Sequence, residues 1–217
     1  LRRQRQMCIR DRYSIEKGEK DQYIKIKDNQ GNLMFDYERS ESGEFTYDSK
    51  FVVFTIKAWN DSIVEMKRRK VEKDKMPKDT IGILNLKDKS FYKIANIKSY
   101  KIPEKWSGLI AYTFDQIPLE ENKKLKDSTE IKKVKKSSSK NGYPLVIRNL
   151  ETEKEDTIPF VTNYTFAKKR MILSYTTSGI KDSILPGVYV KNLKLNNTKH
   201  VYESHDKAKY FLSLIHI

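Results

Sequence analysis

A turn followed by a run of strand formers, Asp48-Ser49-Lys50 and then Phe51-Val52-Val53-Phe54-Thr55-Ile56, recurs along this chain and limits what it can fold into. Branching at Cβ or an aromatic ring favours extended backbone at each of those six positions. Apolar side chains fall on both faces, Phe51 and Val53 on one and Val52 and Phe54 on the other. Such a strand suits a sheet covered on both sides. Phe45-Thr46-Tyr47 aligns with Tyr164-Thr165-Phe166, and Val52-Val53-Phe54 with Met171-Ile172-Leu173, across turns of equal length. A middle copy starts at Tyr100 and ends at Tyr112. After each copy comes a hairpin whose first strand ends alike, at Leu84-Asn85-Leu86, Arg148-Asn149-Leu150 and Lys191-Asn192-Leu193. Copies starting at positions 45, 100 and 164 set a period of about 60 residues, or nearer 45 without the lysine-rich insertions.

Four short strands per period are what one propeller blade needs, and stacked blades bury the faces that a single blade leaves open. The expected fold is therefore all-β, a partial β-propeller of three to four four-stranded antiparallel blades. A β-sandwich of similar strand content is the alternative. The propeller occupies residues 13–211, with lysine-rich insertions at 62–79 and 119–142. Ser62-Ile63-Val64-Glu65 has capping-box spacing, so a short charged helix is expected near 62–76, stopped by Pro77. The first strand is expected at 23–27, paired through the turn 28–32 with 33–37. Residues 40–43 read as a loop. An open arc leaves its two end faces uncovered, and the isolated chain is expected to aggregate or fold poorly.

Both ends look foreign. Residues 1–12, with Met7-Cys8-Ile9-Arg10-Asp11-Arg12, and residues 212–217, Leu212-Ser213-Leu214-Ile215-His216-Ile217, resemble translated adapter read-through, and both are set apart as non-native. The only cysteine, Cys8, belongs to the first of them, so no disulfide or cysteine metal site is expected in the remainder. No apolar run approaches the ~20 residues of a membrane-spanning helix, and no membrane partner is expected. The formal charge of +15 concentrates in Lys67-Arg68-Arg69-Lys70 and in the lysines of 123–136. These blocks alternate with Glu65, Glu72, Glu120, Glu121 and Asp127 and carry no aromatic that could stack on bases. They read as solvated insertions. A nucleic-acid partner is not expected, and a basic nucleic-acid binder is the least favoured function.

Phe45-Thr46-Tyr47-Asp48-Ser49-Lys50-Phe51-Val52-Val53-Phe54 resembles the aromatic-Ser-Pro-Asp-Gly-Lys-x-apolar-Ala-aromatic blade motif. That motif is shared by propellers of prolyl oligopeptidase-like serine peptidases and by TolB-type propellers. Tyr47 replaces the proline and Ser49 the glycine, while the third copy keeps Thr165 and has Ala167 for the aspartate. Taken with the lysine-rich helix, Met76-Pro77-Lys78-Asp79 and Ile97-Lys98-Ser99-Tyr100-Lys101, residues 23–202 resemble the amino-terminal propeller of secreted, dipeptidyl peptidase IV-like enzymes of Bacteroidetes type. The resemblance implies a non-catalytic propeller that gates peptide access to a carboxyl-terminal α/β-hydrolase domain, in a periplasmic or secreted parent whose signal peptide lies upstream. A TolB-like protein-binding propeller with no enzyme attached is the alternative.

The family's Gly-x-Ser-x-Gly elbow is absent from the chain. Thr177-Ser178-Gly179 lacks the first glycine and reads as a loop. His200 and His205 read as surface histidines, and His216 lies in the foreign end. Paired glutamates hold a substrate amino terminus in dipeptidyl peptidase relatives, but Glu120-Glu121 lacks the surrounding motif and reads as a solvated face. No residue is therefore assigned a catalytic, cofactor-binding or metal-binding role, and no cofactor is expected.

Overall fold

The structure, a computed structural model, describes residues 11–15, 21–115, 141–179 and 184–203. Glu120, Glu121, His205, His216 and most of the insertion 119–142 lie outside them, as do residues 1–10 and 204–217. The chain divides into two compact units, Leu1–Asn96 and Ile97–Ile217.

In the first unit, β1 (Asp11–Ile15), β2 (Tyr23–Lys27) and β3 (Leu33–Glu38) form an antiparallel three-stranded sheet in chain order. β4 (Ser40–Phe45), β5 (Phe51–Ile56), β6 (Asp79–Asn85) and the first half of β7 (Phe91–Lys101) form a four-stranded one. In the second unit, the rest of β7 pairs with β8 (Leu109–Phe114), then β9 (Tyr143–Asn149), then the first part of β10 (Glu155–Phe166). The rest of β10 pairs with β11 (Ile172–Thr177), followed by β12 (Gly187–Asn192) and β13 (Asn197–Glu203), so that β4 to β13 are hydrogen-bonded neighbours in chain order. Three four-stranded antiparallel blades thus follow a three-stranded one. The fold is the all-β partial propeller that the repeat implied.

Where the last strand of one sheet becomes the first of the next, a single residue turns left-handed: Arg39 at φ 58°, Asn96 at φ 60°, Phe160 at φ 56°. Asparagine tolerates that region, whereas a bulky aromatic adopts it only where the surroundings enforce it. The pattern of apolar residues shows nothing of these kinks. β7 and β10 are accordingly long strands, each with its left-handed residue in its interior. Residues 40–43 are likewise no loop: they open β4, which bulges between Glu41 and Glu44. β1 precedes the first strand expected from sequence and includes Asp11 and Arg12, residues set apart with the foreign end.

The repeat has a structural cause. Leu86, Leu150 and Leu193 each donate their N–H to the carbonyl just before the second strand of their blade, on Lys50, Gly108 and Met171. The asparagine before each leucine turns the outer hairpin. Asn85, Asn149 and Asn192 accept the N–H two residues on, from Lys87, Glu151 and Lys194, at 2.9–3.0 Å. Asp28 does the same for Gln30 at 2.8 Å, so the turn is written four times, once with aspartate. Bonds from the Asn32 side chain and backbone hold the Asp28 carboxyl below the usual range.

These bonds also set the register. Phe45 faces Val52 and Phe166 faces Leu173, so Phe45 corresponds to Phe166, two residues from the sequence alignment. A slip of two keeps every side chain on its face, which is why the apolar pattern could not reveal it. In this register Ala167 stands at Thr46, so the third copy lacks the hydroxyl as well as the aspartate. Phe54, Tyr112 and Tyr175 become equivalent, exposed by only 0%, 1% and 6%.

Among the described residues, an apolar cluster lies between the sheets of each unit. Ile24 and Ile26 of the first sheet meet Val52, Phe54, Ile56 and Leu84 of the second, flanked by Phe35, Tyr37 and Phe91. In the second unit Ala111, Leu145 and Ile147 meet Val161, Tyr164, Leu173 and Tyr175.

The insertion carries α1 (Asn60–Arg68) and a 3₁₀ turn, Lys73–Lys75. The expected capping box does not form. Trp59 is the N-cap and Ser62 lies inside the helix, while the Asn60 N–H donates to Asp21 Oδ1 at 2.9 Å. A partner from another segment outcompetes the local hydroxyl. α1 buries no residue, as expected of an insertion.

Candidate functional site

Among the described residues of the second unit, a polar cluster joins the second half of β7 to the second half of β10. Ser99 Oγ lies 2.9 Å from Thr113 Oγ1 and 3.1 Å from the Tyr164 hydroxyl. Lys101 Nζ donates to the Tyr164 carbonyl at 2.7 Å. Lys101 is exposed as a residue, yet its ammonium sits 5.2 Å from the Tyr164 ring centre, and lost hydration holds its pKa below the usual lysine value. The Asn163 side chain accepts the Tyr164 N–H at 2.8 Å. Side chains thus occupy both backbone groups of Tyr164, which blunts a strand edge open to pairing with another chain. Beyond this point Trp106 Nε1 donates to the Ala167 carbonyl at 2.9 Å and Lys168 pairs with Glu104 at 3.0 Å. The arrangement can bind and orient polar groups. Among the described residues, the Ser99 hydroxyl bonds to the Thr113 and Tyr164 hydroxyls, neither of which is a base that would activate it.

Burial pushes the Tyr164 hydroxyl up to about 12, an effect that its bonds to Ser99 and Thr113 reduce. Burial also raises Tyr175 to about 12, reinforced by Tyr189. An unfolded tyrosine ionises near 10, so from there to about 12 the unfolded chain releases protons that the folded one keeps. Stability is therefore complete below pH ~10 and falls as pH rises through that window. Lys101, displaced downward, opposes the loss in part. Urea midpoints measured from neutral pH upward should fall above pH ~10, and Tyr164→Phe should flatten that slope. An unchanged slope would count against the burial of this hydroxyl.

Residues weighed in the sequence fall elsewhere. Ser178 Oγ donates to the Asn141 carbonyl at 2.5 Å and its N–H to the Phe160 carbonyl at 3.1 Å, tying the loop to the kink in β10. Among the described residues, no histidine is one of its hydrogen-bond partners. His200 is not the surface residue expected. It is half-buried and stacks on Tyr189 at 4.3 Å, which stacks in turn on Tyr175 at 5.3 Å. His200 Nε2 is buried and, among the described residues, has no hydrogen-bond partner. The described residues include no group of His, Cys, Asp or Glu able to hold a metal ion, and no helix long and apolar enough to cross a membrane.

Sequence reading missed a second feature, in the first unit. An open cleft of ≈ 520 Å³ is lined by Tyr23, Lys25, Asp36, Glu38, Arg39 and Trp59. The Arg39 guanidinium lies 4.7 Å from the Trp59 ring centre and donates from Nη1 to the Lys57 carbonyl at 3.2 Å. The signal available in sequence was alternation: Tyr23 and Lys25 share one face of β2, Asp36 and Glu38 one face of β3, and Tyr23 pairs with Glu38 as Lys25 does with Asp36.

No protein-family model matches the chain, and no curated protein matches it. Among solved structures it is similar to the β-propeller domain of the Trilobed protease from Pyrococcus furiosus, at 14% identity and a TM-score of 0.45, over 88% of this chain and 52% of that one. It is also similar to an acylaminoacyl peptidase from Pyrococcus horikoshii, at 12% identity and a TM-score of 0.43, over 84% of this chain and 28% of that one. An oligogalacturonate lyase in complex with manganese is similar at 11% identity and a TM-score of 0.42, over 88% of this chain and 44% of the lyase. The chain spans about half or less of the length of each of these proteins. The partial propeller itself rests on strand order, register and the repeated turns.

Proposed function

We propose that the chain is the non-catalytic propeller portion of a prolyl oligopeptidase-family serine peptidase, of the dipeptidyl peptidase IV-like kind. In this reading it gates the access of peptides to an α/β-hydrolase domain carried elsewhere in the parent protein, so its partners are that domain and peptide substrates. What supports the reading is the turn before β5, where the blade motif and the bonding coincide. Thr46 Oγ1, at the motif's serine position, donates to Asp48 Oδ1 at 2.7 Å and accepts the Phe51 N–H at 3.1 Å. Ser49, at the motif's glycine position, has φ 56°, the conformation that makes glycine the usual choice there.

Extending the reading frame at the parent locus tests this. A Gly-x-Ser-x-Gly elbow followed by Asp and His is expected, with the parent protein cleaving short peptides and sparing folded ones. A continuous frame that closes without the elbow would overturn the reading and leave a binding propeller of TolB type.

A further inference from the structure

The first sheet presents an unusual face to the outside. Four hairpin turns carry the same bonds, so Asp28 corresponds to Asn85, and Lys27 and Lys25 correspond to Leu84 and Gly82. In the second sheet that face is apolar: Val52, Phe54 and Leu84 pack on the first sheet. On the first sheet's outward face stand Tyr23, Lys25, Asp36 and Glu38 instead. Packing apolar surface on this face would bury the charges of Lys25, Asp36 and Glu38. The face is concave, with Lys25 Nζ 5.4 Å from the Tyr23 ring centre. Among the described residues neither Lys25, Asp36 nor Glu38 forms an ion pair, although both signs line one cleft. Arg39 is fixed by the Trp59 ring and the Lys57 carbonyl, which leaves its remaining N–H groups for an incoming carboxylate.

We infer that this cleft binds a short zwitterionic peptide. Its carboxylate meets Arg39 and Lys25, its ammonium meets Asp36 and Glu38, and a side chain lies on the exposed rim of Trp59, which is 47% exposed. A lone anion or cation satisfies one pair and leaves the other unpaired. The inference is independent of the peptidase reading, since a propeller of either kind could carry the cleft.

The test uses the full 217-residue chain and the tripeptide Ala-Tyr-Ala, with binding read from backbone amide shifts of residues 23–39 and from indole fluorescence. Weak saturable binding is expected, with a Kd in the range of about 0.1–1 mM, as suits an open cleft. Acetylating the amino end or amidating the carboxyl end should each weaken it by about tenfold. Asp36→Asn should weaken the free peptide but not the acetylated one, and Lys25→Gln the free peptide but not the amidated one. These are exposed or half-exposed positions outside the core, so the variants keep the amide spectrum of the folded chain. No saturation by about 10 mM would overturn the proposal, as would equal binding of blocked and free peptides.

Discussion

Replacing Phe54 by alanine is expected to cost the first unit about 3–5 kcal/mol, the range for truncating a buried aromatic where the cavity cannot collapse. Phe54 is fully buried, and its ring lies 5.7–6.1 Å from the rings of Phe91, Tyr37 and Phe35. Those rings come from two different sheets, so the cavity opens where the blades meet and no single strand can move in to fill it. Moreover, Gly82 leaves room for the ring: a Cβ there would stand 2.7 Å from Phe54 Cε2. Phe54→Leu should cost less than half as much, because most of the apolar volume stays. Tyr47→Ala, at a residue 48% exposed, should change stability by no more than about 0.5 kcal/mol. Urea denaturation followed by tyrosine and tryptophan emission would check the series. A Phe54→Ala loss near that of Tyr47→Ala would mean that the two sheets do not pack as described.

The second large effect is expected at Gly142. An added Cβ would lie 2.4 Å from the carbonyl carbon and oxygen of Phe160, and the backbone sits at φ 81°. Two costs add there. Holding a residue with a Cβ in the left-handed region costs roughly 1–2 kcal/mol, and forcing backbone apart adds about 1–3 kcal/mol. Gly108 separates them, since it has φ 95° with nothing within 4 Å of its Cβ. Gly108→Ala should therefore lose about 1 kcal/mol and Gly142→Ala about 3 kcal/mol or more. The difference measures how tightly β9 seats against the kink in β10. Equal losses would show that the kink at Phe160 is free to shift. Since Ser178 also holds the Phe160 carbonyl, a shift there would loosen the loop at 178–179 as well.

The polar seam and the cores divide the work within the second unit. Leu145, Leu173 and Tyr175 supply apolar burial, while Ser99, Lys101 and Tyr164 fix how the first strands of the two blades lie against each other. Burial is indifferent to small slides between sheets, but a hydrogen bond at 2.7–3.1 Å is not. The phenol of Tyr164 serves both purposes, which is why its ionisation should be felt in stability.

How far the residues alone reach can be judged at particular places. The run from Phe51 to Ile56, the Asn-Leu hairpin ends and their spacing were sufficient for an all-β repeat of four-stranded units, because strand propensity and turn chemistry act locally. Local chemistry was misleading at Ser62, whose capping role was displaced when Asp21 reached the helix start from 39 residues away. It was silent at Arg39, Asn96 and Phe160, where a left-handed residue joins one sheet to the next, since nothing in an apolar pattern marks a change of sheet. The two-residue slip between Phe45 and Phe166 was invisible for a related reason: a shift of two preserves every face. The cleft lined by Lys25, Asp36, Arg39 and Trp59 required tertiary structure altogether, because its walls come from two strands, a kink and the residue before a helix. Sequence alone determined most of the strand segments, though neither β1 nor the start of β4, and the spacing at which the unit repeats. Only the folded chain decided which residues face one another, because that depends on bonds between segments far apart in sequence.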